Sequence, residues 1–284
     1  MTRPRLCVYT ALVGGYERLN EQPVALESDV DFLCFTDDPG LQSETWQMRV
    51  ARTLFPEDPS RSSRALKIRA HATVPEYDVS LYVDNSVVLG RPPEDVLADL
   101  LPDEAALALF EHSYRESVRD EFAAVAEAAL DAPSRLDEQL AHYSVSDPEV
   151  LELRPLKGFL LLRRHHDPRV VAAMETWFAH VLRYSRRDQL SLWIALREAR
   201  LEPVVHGFDN FESPYHRWPV IVDRLRRREW TAWTTPERRL AELRVALTER
   251  TLEVEHLEQQ LHALQETRSW RWTAPARALV QLLH

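Results

Sequence analysis

Few residues in this chain combine a reactive type with a telling position. Asp84 follows the apolar run Val79–Val83 (VSLYV) and opens Asp84-Asn85-Ser86. An acid at the C-terminal edge of a buried sheet faces the crevice where α/β folds bind ligands. There it can ligate Mg2+ or Mn2+, hard cations that take oxygen ligands and bridge to substrate phosphates. Asp-Asn-Ser is also ordinary turn chemistry, so a plain turn is the competing reading. Arg61, Arg64 and Lys67 lie three apart, on one helix face. Such a face suits a diphosphate, and a solvated face with local ion pairs is the plainer alternative. Asp188, in Arg187-Asp188-Gln189, heads a helical pattern, where its charge can simply favour the dipole. His206, Asp209, Asn210 and His216 share an aromatic loop, but two His without Cys or i,i+4 spacing support zinc only weakly. The chain has no Gly-x-Ser-x-Gly elbow, Walker loop or Cys-x-x-Cys, which weighs against hydrolase triads and ATPase chemistry.

The elements that must position these residues alternate. Apolar, β-branched runs predict strands at Leu6–Val13, Val30–Thr36, Trp46–Ala51, Val79–Val83, Ala105–Phe110, Leu156–Leu162 and Pro203–Val205. Helical spacing predicts helices at Ser60–His71, with Ser60 as N-cap, and at Glu116–Leu130, Ser134–His142, Asp167–Tyr184 and Asp188–Arg200. This order fits an α/β layered domain over residues 1–222. From 223 to 284 the strands and glycines disappear. Leu240, Leu247, Val254 and Leu261 recur every seven residues, and Leu243, Arg250, Leu257 and Leu264 follow three later. That seam predicts a coiled coil over about Glu237–Gln265, a homodimer contact, with a helix packed on the main domain as the alternative. Ser269–Leu283 is a second short amphipathic piece, suited to a partner or a peripheral membrane contact.

Composition narrows the function further. The 284 residues carry 45 acids against 35 bases, a net charge of −10, so a general nucleic-acid binder is excluded. With 6 glycines a long Gly-rich phosphate loop is not expected. Cys7 and Cys34 sit in strand runs and read as buried thiols in a reducing compartment. No apolar leader or membrane-length run is present, which sets the expectation of a cytoplasmic protein.

Several stretches, in order, resemble one family. Val8-Tyr9-Thr10-Ala11-Leu12-Val13-Gly14-Gly15-Tyr16 resembles the opening of the glycosyltransferase-like domains related to plant mucilage and turgor-regulation proteins. Asp31–Asp38 (DFLCFTDD) resembles their second-strand motif, and Arg64 with Lys67 and His71 their Arg…Lys…His helix. Ser80–Asp84 resembles their SLYxD strand, His112 with Arg115 and Glu121 their His…Arg…Glu stretch, and Arg187-Asp188-Gln189 their RDQ. The resemblance spans roughly residues 5–215 and leaves out the C-terminal helix.

The resemblance implies a GT-A-like fold, a mixed, mostly parallel sheet flanked by helices. It implies transfer of a sugar from a nucleotide-diphosphate-sugar donor to a glycan or lipid-linked acceptor, as in surface polysaccharide assembly at the inner face of the membrane. The donor would then lie against Tyr9, Thr10, Ala11 and Asp37, with Arg64, Lys67, Asp84, Asn85 and Ser86 around its diphosphate. His112, Arg115 and Gly158 would bind the acceptor, and Asp188 with Gln189 would be catalytic. The acid after SLYV stands where such enzymes carry an Asp-x-Asp metal motif. This chain keeps one carboxylate of the two, which leaves Mn2+ or Mg2+ to Asp84 and a residue such as His206. The rival reading is a catalytically degenerate transferase-fold scaffold acting through its coil. Converging charges argue against that, since a scaffold has no use for them.

Overall fold

The computed structural model describes residues 4–221 and 236–266. By compactness the chain divides into two units, Met1–Trp233 and Thr234–His284. The boundary expected at 222/223 falls among residues outside those described.

In the first unit the apolar runs form one sheet. In chain order its elements are β1 (Leu6–Leu12), β2 (Asp31–Thr36), β3 (Gln47–Val50), α1 (Pro59–Ile68), α2 (Ala70–Thr73) and β4 (Val79–Val83). They continue with β5 (Val88–Leu89), α3 (Pro93–Leu100), β6 (Leu107–Glu111), α4 (Val118–Glu127), α5 (Pro133–Ser146) and β7 (Leu156–Arg163). Last come α6 (Pro168–Arg183), α7 (Leu192–Glu198), β8 (Val204–His206), β9 (Glu212–Ser213) and β10 (His216–Arg217). The seven-stranded sheet runs β3-β2-β1-β4-β7-β6-β8. Its pairings are parallel except those of β7, which is antiparallel to both β4 and β6. The expected mixed, mostly parallel sheet flanked by helices is therefore present.

Alternation along the strands builds two cores. Cys7, Tyr9 and Ala11 face one side, with Ile68, Trp177 and Leu192 from the helices. Val8 and Leu12 face the other, with Val96 and Leu100 from α3. Cys7 and Cys34 are buried free thiols. Arg163, at the end of β7, is wholly buried. Its guanidinium donates to the Lys67 and Ile68 carbonyls at the end of α1, where a cation also favours the helix dipole.

Three local expectations change. The N-cap of the first helix is Asp58, whose side chain accepts from the Arg61 N–H, with Pro59 rather than Ser60 opening the helix. That helix stops at Ile68, and α2 follows it after Arg69. The aromatic loop expected to hold His206, Asp209, Asn210 and His216 contains β9 and β10, and β10 pairs with β5, an element the sequence pattern missed along with α3.

The described part of the second unit is one helix, α8 (Pro236–Glu266). Leu243, Leu247, Val254, Leu257 and Leu261 are exposed along it, and Arg250 pairs with Glu253. The seam side chains Leu240 and Leu264, and the Ser269–Leu283 segment, lie outside the described residues. No helix among the described residues is long and apolar enough to cross a membrane.

Candidate active site

A cleft of about 350 Å3 opens at the C-terminal end of β4. This is where open α/β sheets bind ligands. Because β7 runs backwards, its first residues reach the same edge. The Asp84 N–H donates to the Phe159 carbonyl, and Lys157 and Gly158 line the cleft beside them. The helix α1 supplies Arg64 and Lys67, and α4 supplies Glu121. After α6, Arg187 precedes a 3-10 turn that Asp188 and Gln189 open, and all three line the cleft.

The centre is an ion-pair network. Asp188 is 3% exposed, and its carboxylate lies 2.7 Å from Lys67 Nζ and 3.0 Å from Arg64 Nε. Burial pushes its carboxyl upwards, but Arg64 and Lys67 outweigh that and hold it well below the usual carboxylate range. Lys67 also lies 3.5 Å from Asp84, which accepts from the Tyr82 hydroxyl at 2.8 Å. Gly158 makes room for this arrangement. A Cβ there would come 3.2 Å from Lys67 Nζ and 3.4 Å from Trp177.

The far wall is aromatic and basic. Lys157 Nζ sits 3.5 Å from the Trp218 ring centre and 4.7 Å from that of Tyr114, and donates to the Tyr114 hydroxyl at 2.9 Å. Such cation–π contacts favour the charged amine, yet burial lowers Lys157 to about 7. His112 is buried beneath Tyr114. Burial and the nearby cations Lys157, Arg115 and Arg154 lower it to about 3, so its ring is neutral near pH 7. Arg115 pairs with Glu121 at 3.3 Å.

Of the residues expected from sequence, Arg64, Lys67, Asp84, Ser86, His112, Arg115, Gly158, Asp188 and Gln189 line this cleft. Others are elsewhere. Tyr9 is wholly buried, its hydroxyl donating to the Lys67 carbonyl, and Thr10 and Ala11 are buried with it in β1. Asn85 turns away from the cleft, accepting from the Asn20 N–H and donating to Glu17. Asp37 accepts from the Gly14 N–H and so braces the turn after β1. Arg61 leaves the expected cationic face and donates to the Val181 and Tyr184 carbonyls at the end of α6. His206 does not join Asp84, because its Nε2 donates to the Leu100 carbonyl at 2.8 Å. Sequence reasoning gave no role to Lys157, Tyr114 or Trp218. A lysine opening an otherwise apolar strand was the one signal for them.

The groups around Asp84 do not fit the expected Mn2+ or Mg2+. A hard cation needs several oxygen donors. Here the acid offers one carboxylate, already engaged by Tyr82 and Lys67, with Arg64 adding positive charge nearby. Among the described residues no three His, Cys, Asp or Glu side chains gather as metal ligands would.

The family model for the TOD1/MUCI70 glycosyltransferase-like domain matches residues 37–213. The chain belongs to that family. Among solved structures, the apo form of mouse xyloside xylosyltransferase 1 is similar at 11% identity and a TM-score of 0.41, over 72% of this chain and 85% of that one. The apo WbbM bifunctional glycosyltransferase is similar at 10% identity and a TM-score of 0.42, over 73% of this chain but only 39% of its own length. No curated protein sequence matches the chain.

Proposed function

We propose that the protein transfers a sugar from a nucleotide-diphosphate-sugar donor, held in this cleft, to a hydroxyl of a glycan or lipid-linked acceptor. One observation carries the reading. In a chain of net charge −10, the cleft gathers five cationic side chains against three carboxylates. Arg64, Lys67, Arg115, Lys157 and Arg187 face Asp84, Glu121 and Asp188. A cleft with an excess of cations in an acidic protein focuses positive potential and attracts an anion.

The reaction joins the acceptor oxygen to the anomeric carbon and breaks the bond from that carbon to the diphosphate oxygen. The electron pair leaves with the diphosphate, which also takes the acceptor proton. Positive charge grows on the sugar and negative charge on the leaving group. Asp188 is suited to the first, since Arg64 and Lys67 keep it ionised rather than acting as an acid. Asp84, half-shielded by Lys67, can orient the sugar. Neutral His112 and paired Arg115 line the side where an acceptor enters. The exposed apolar row of α8 favours self-association of two copies. The setting we infer is surface polysaccharide assembly on the cytoplasmic face of a membrane.

A thermal-shift panel of UDP-, GDP-, CMP- and dTDP-sugars tests the reading. A donor at 100 times its Kd adds about 2.7 kcal/mol to the folded state. One donor class should raise the Tm, and its sugar should appear on an added acceptor. If no donor shifts the Tm, the scaffold reading replaces the transferase.

A further inference from the structure

The charges of the cleft are not equally available. Asp188 engages both Arg64 and Lys67, and Asp84 shares Lys67. Glu121 engages Arg115. Among the described residues, Lys157 and Arg187 form no ion pair with a carboxylate, although both line the cleft. Lys157 is steadied instead by the Tyr114 hydroxyl and the Trp218 ring. The Arg187 Nε is buried with no hydrogen-bond partner. Carboxylates act on both only from beyond contact distance, Glu121 and Asp84 on Lys157 and these two with Asp188 on Arg187. Leaving a buried cation without a contacting carboxylate is expensive, so a site that retains two is built for an anion brought from outside.

We propose that Lys157 and Arg187 hold the diphosphate of the donor in place of a divalent metal ion. This rests on the transferase reading above. The two come from different elements. Lys157 opens β7 and Arg187 precedes the 3-10 turn, so they reach the cleft from separate directions. A diphosphate carries two or more negative charges, which two cations neutralise. The guanidinium supplies a planar fork for two phosphate oxygens, and the ammonium supplies a point charge. The network at Asp84 points the same way. Where Asp-x-Asp enzymes would place a metal, this chain places Lys67 within 3.5 Å of the remaining acid. The charge developing on the leaving group then falls on side chains alone.

Calorimetric titration of the full chain with inorganic pyrophosphate, in EDTA and separately in Mn2+, tests the assignment without knowledge of the sugar or nucleotide. Wild type should bind in EDTA. Lys157→Met and Arg187→Met should each weaken binding at least about tenfold, as loss of a charge-assisted contact does. Neither residue holds a structural ion pair, and circular dichroism checks that each variant is folded. Lys157→Arg keeps the charge and should restore most of the affinity, and Arg187→Lys, which keeps the charge but loses the fork, should restore part of it. Binding that requires Mn2+, binding in EDTA that both Met variants retain, or no binding at all overturns the clamp. A nucleotide sugar that raises the Tm alongside any of those results leaves the transferase reading standing and removes only this inference.

Discussion

Asp188→Asn replaces the buried carboxylate by an amide of the same shape. Arg64 and Lys67 then remain in the wall of the cleft, one of them 2% exposed, with Asp84 at 3.5 Å as the nearer one's remaining counter-charge. Breaking a buried ion pair by removing one partner costs about 3–5 kcal/mol, because a desolvated charge is left behind. For a domain of this size that corresponds to a fall in Tm of roughly 6–20 °C. The sign with pH follows from the depressed carboxyl. Its stabilisation is fully present above the ordinary aspartate range near pH 4, and is lost as pH falls through the lower folded-state value. The difference between wild type and Asp188→Asn should therefore be constant from pH 5 to 8 and shrink below about pH 4. Urea unfolding across that range measures it. Adding Lys67→Met should recover part of the loss, since the orphaned ammonium is gone. A loss under about 0.5 kcal/mol, the range of ordinary surface substitutions, would refute the ion-pair account.

Three further outcomes follow from other parts of the molecule. Gly14 has φ +86°, and a Cβ there would lie 2.6 Å from Pro59 Cβ, so Gly14→Ala should destabilise by about 2–4 kcal/mol in urea melts. Pyrophosphate affinity should weaken as pH rises from 7 to 9, because only protonated Lys157 attracts the anion. Glu121, Asp84, Arg187, Arg115, Tyr114 and His112 face that amine, and the profile of Lys157→Arg, which stays charged, isolates its share. Full-length chain should sediment as a self-associating species and a chain ending at Thr235 as a monomer. Monomers in both cases would mean that the α8 row has no second copy to meet.

Runs such as Leu6–Val13 and Val79–Val83 were legible as strands because a sheet covered on both faces selects unbroken β-branched and aromatic residues. The direction of β7 was not legible, since Leu156–Leu162 carries nothing that says which neighbour it will pair with. That one reversal decides that Lys157 and Gly158, rather than the end of the strand, meet Asp84. The types in the site were visible, but their partners were not. Arg61, Arg64 and Lys67 share a helix face by spacing, yet Arg61 reaches the carbonyl end of α6 and the other two converge on Asp188. Tyr9 misled for a similar reason. Alternation puts it on the side of β1 that α1 and α6 cover, where its hydroxyl serves the backbone of α1. Asp58 outcompetes Ser60 as cap because Pro59 fixes the first helical position one residue after it.

The reversed strand also bears on when the site comes into being. The pairs β1 with β2 and β2 with β3 join segments close in the chain, whereas β4 meets β7 by setting Val83 opposite Leu160 and Ser80 opposite Arg163. Closing so long a loop is entropically demanding, and contacts of that separation slow folding. Arg64, Lys67 and Asp84 belong to the segment before that seam, and Lys157, Arg187 and Asp188 to the segment after it. A nascent chain that has made only its first four strands thus carries Arg64 and Lys67 without Asp188, and no cleft, so ligand binding reports on the arrival of β7 and the turn after α6 and not on the first pairings.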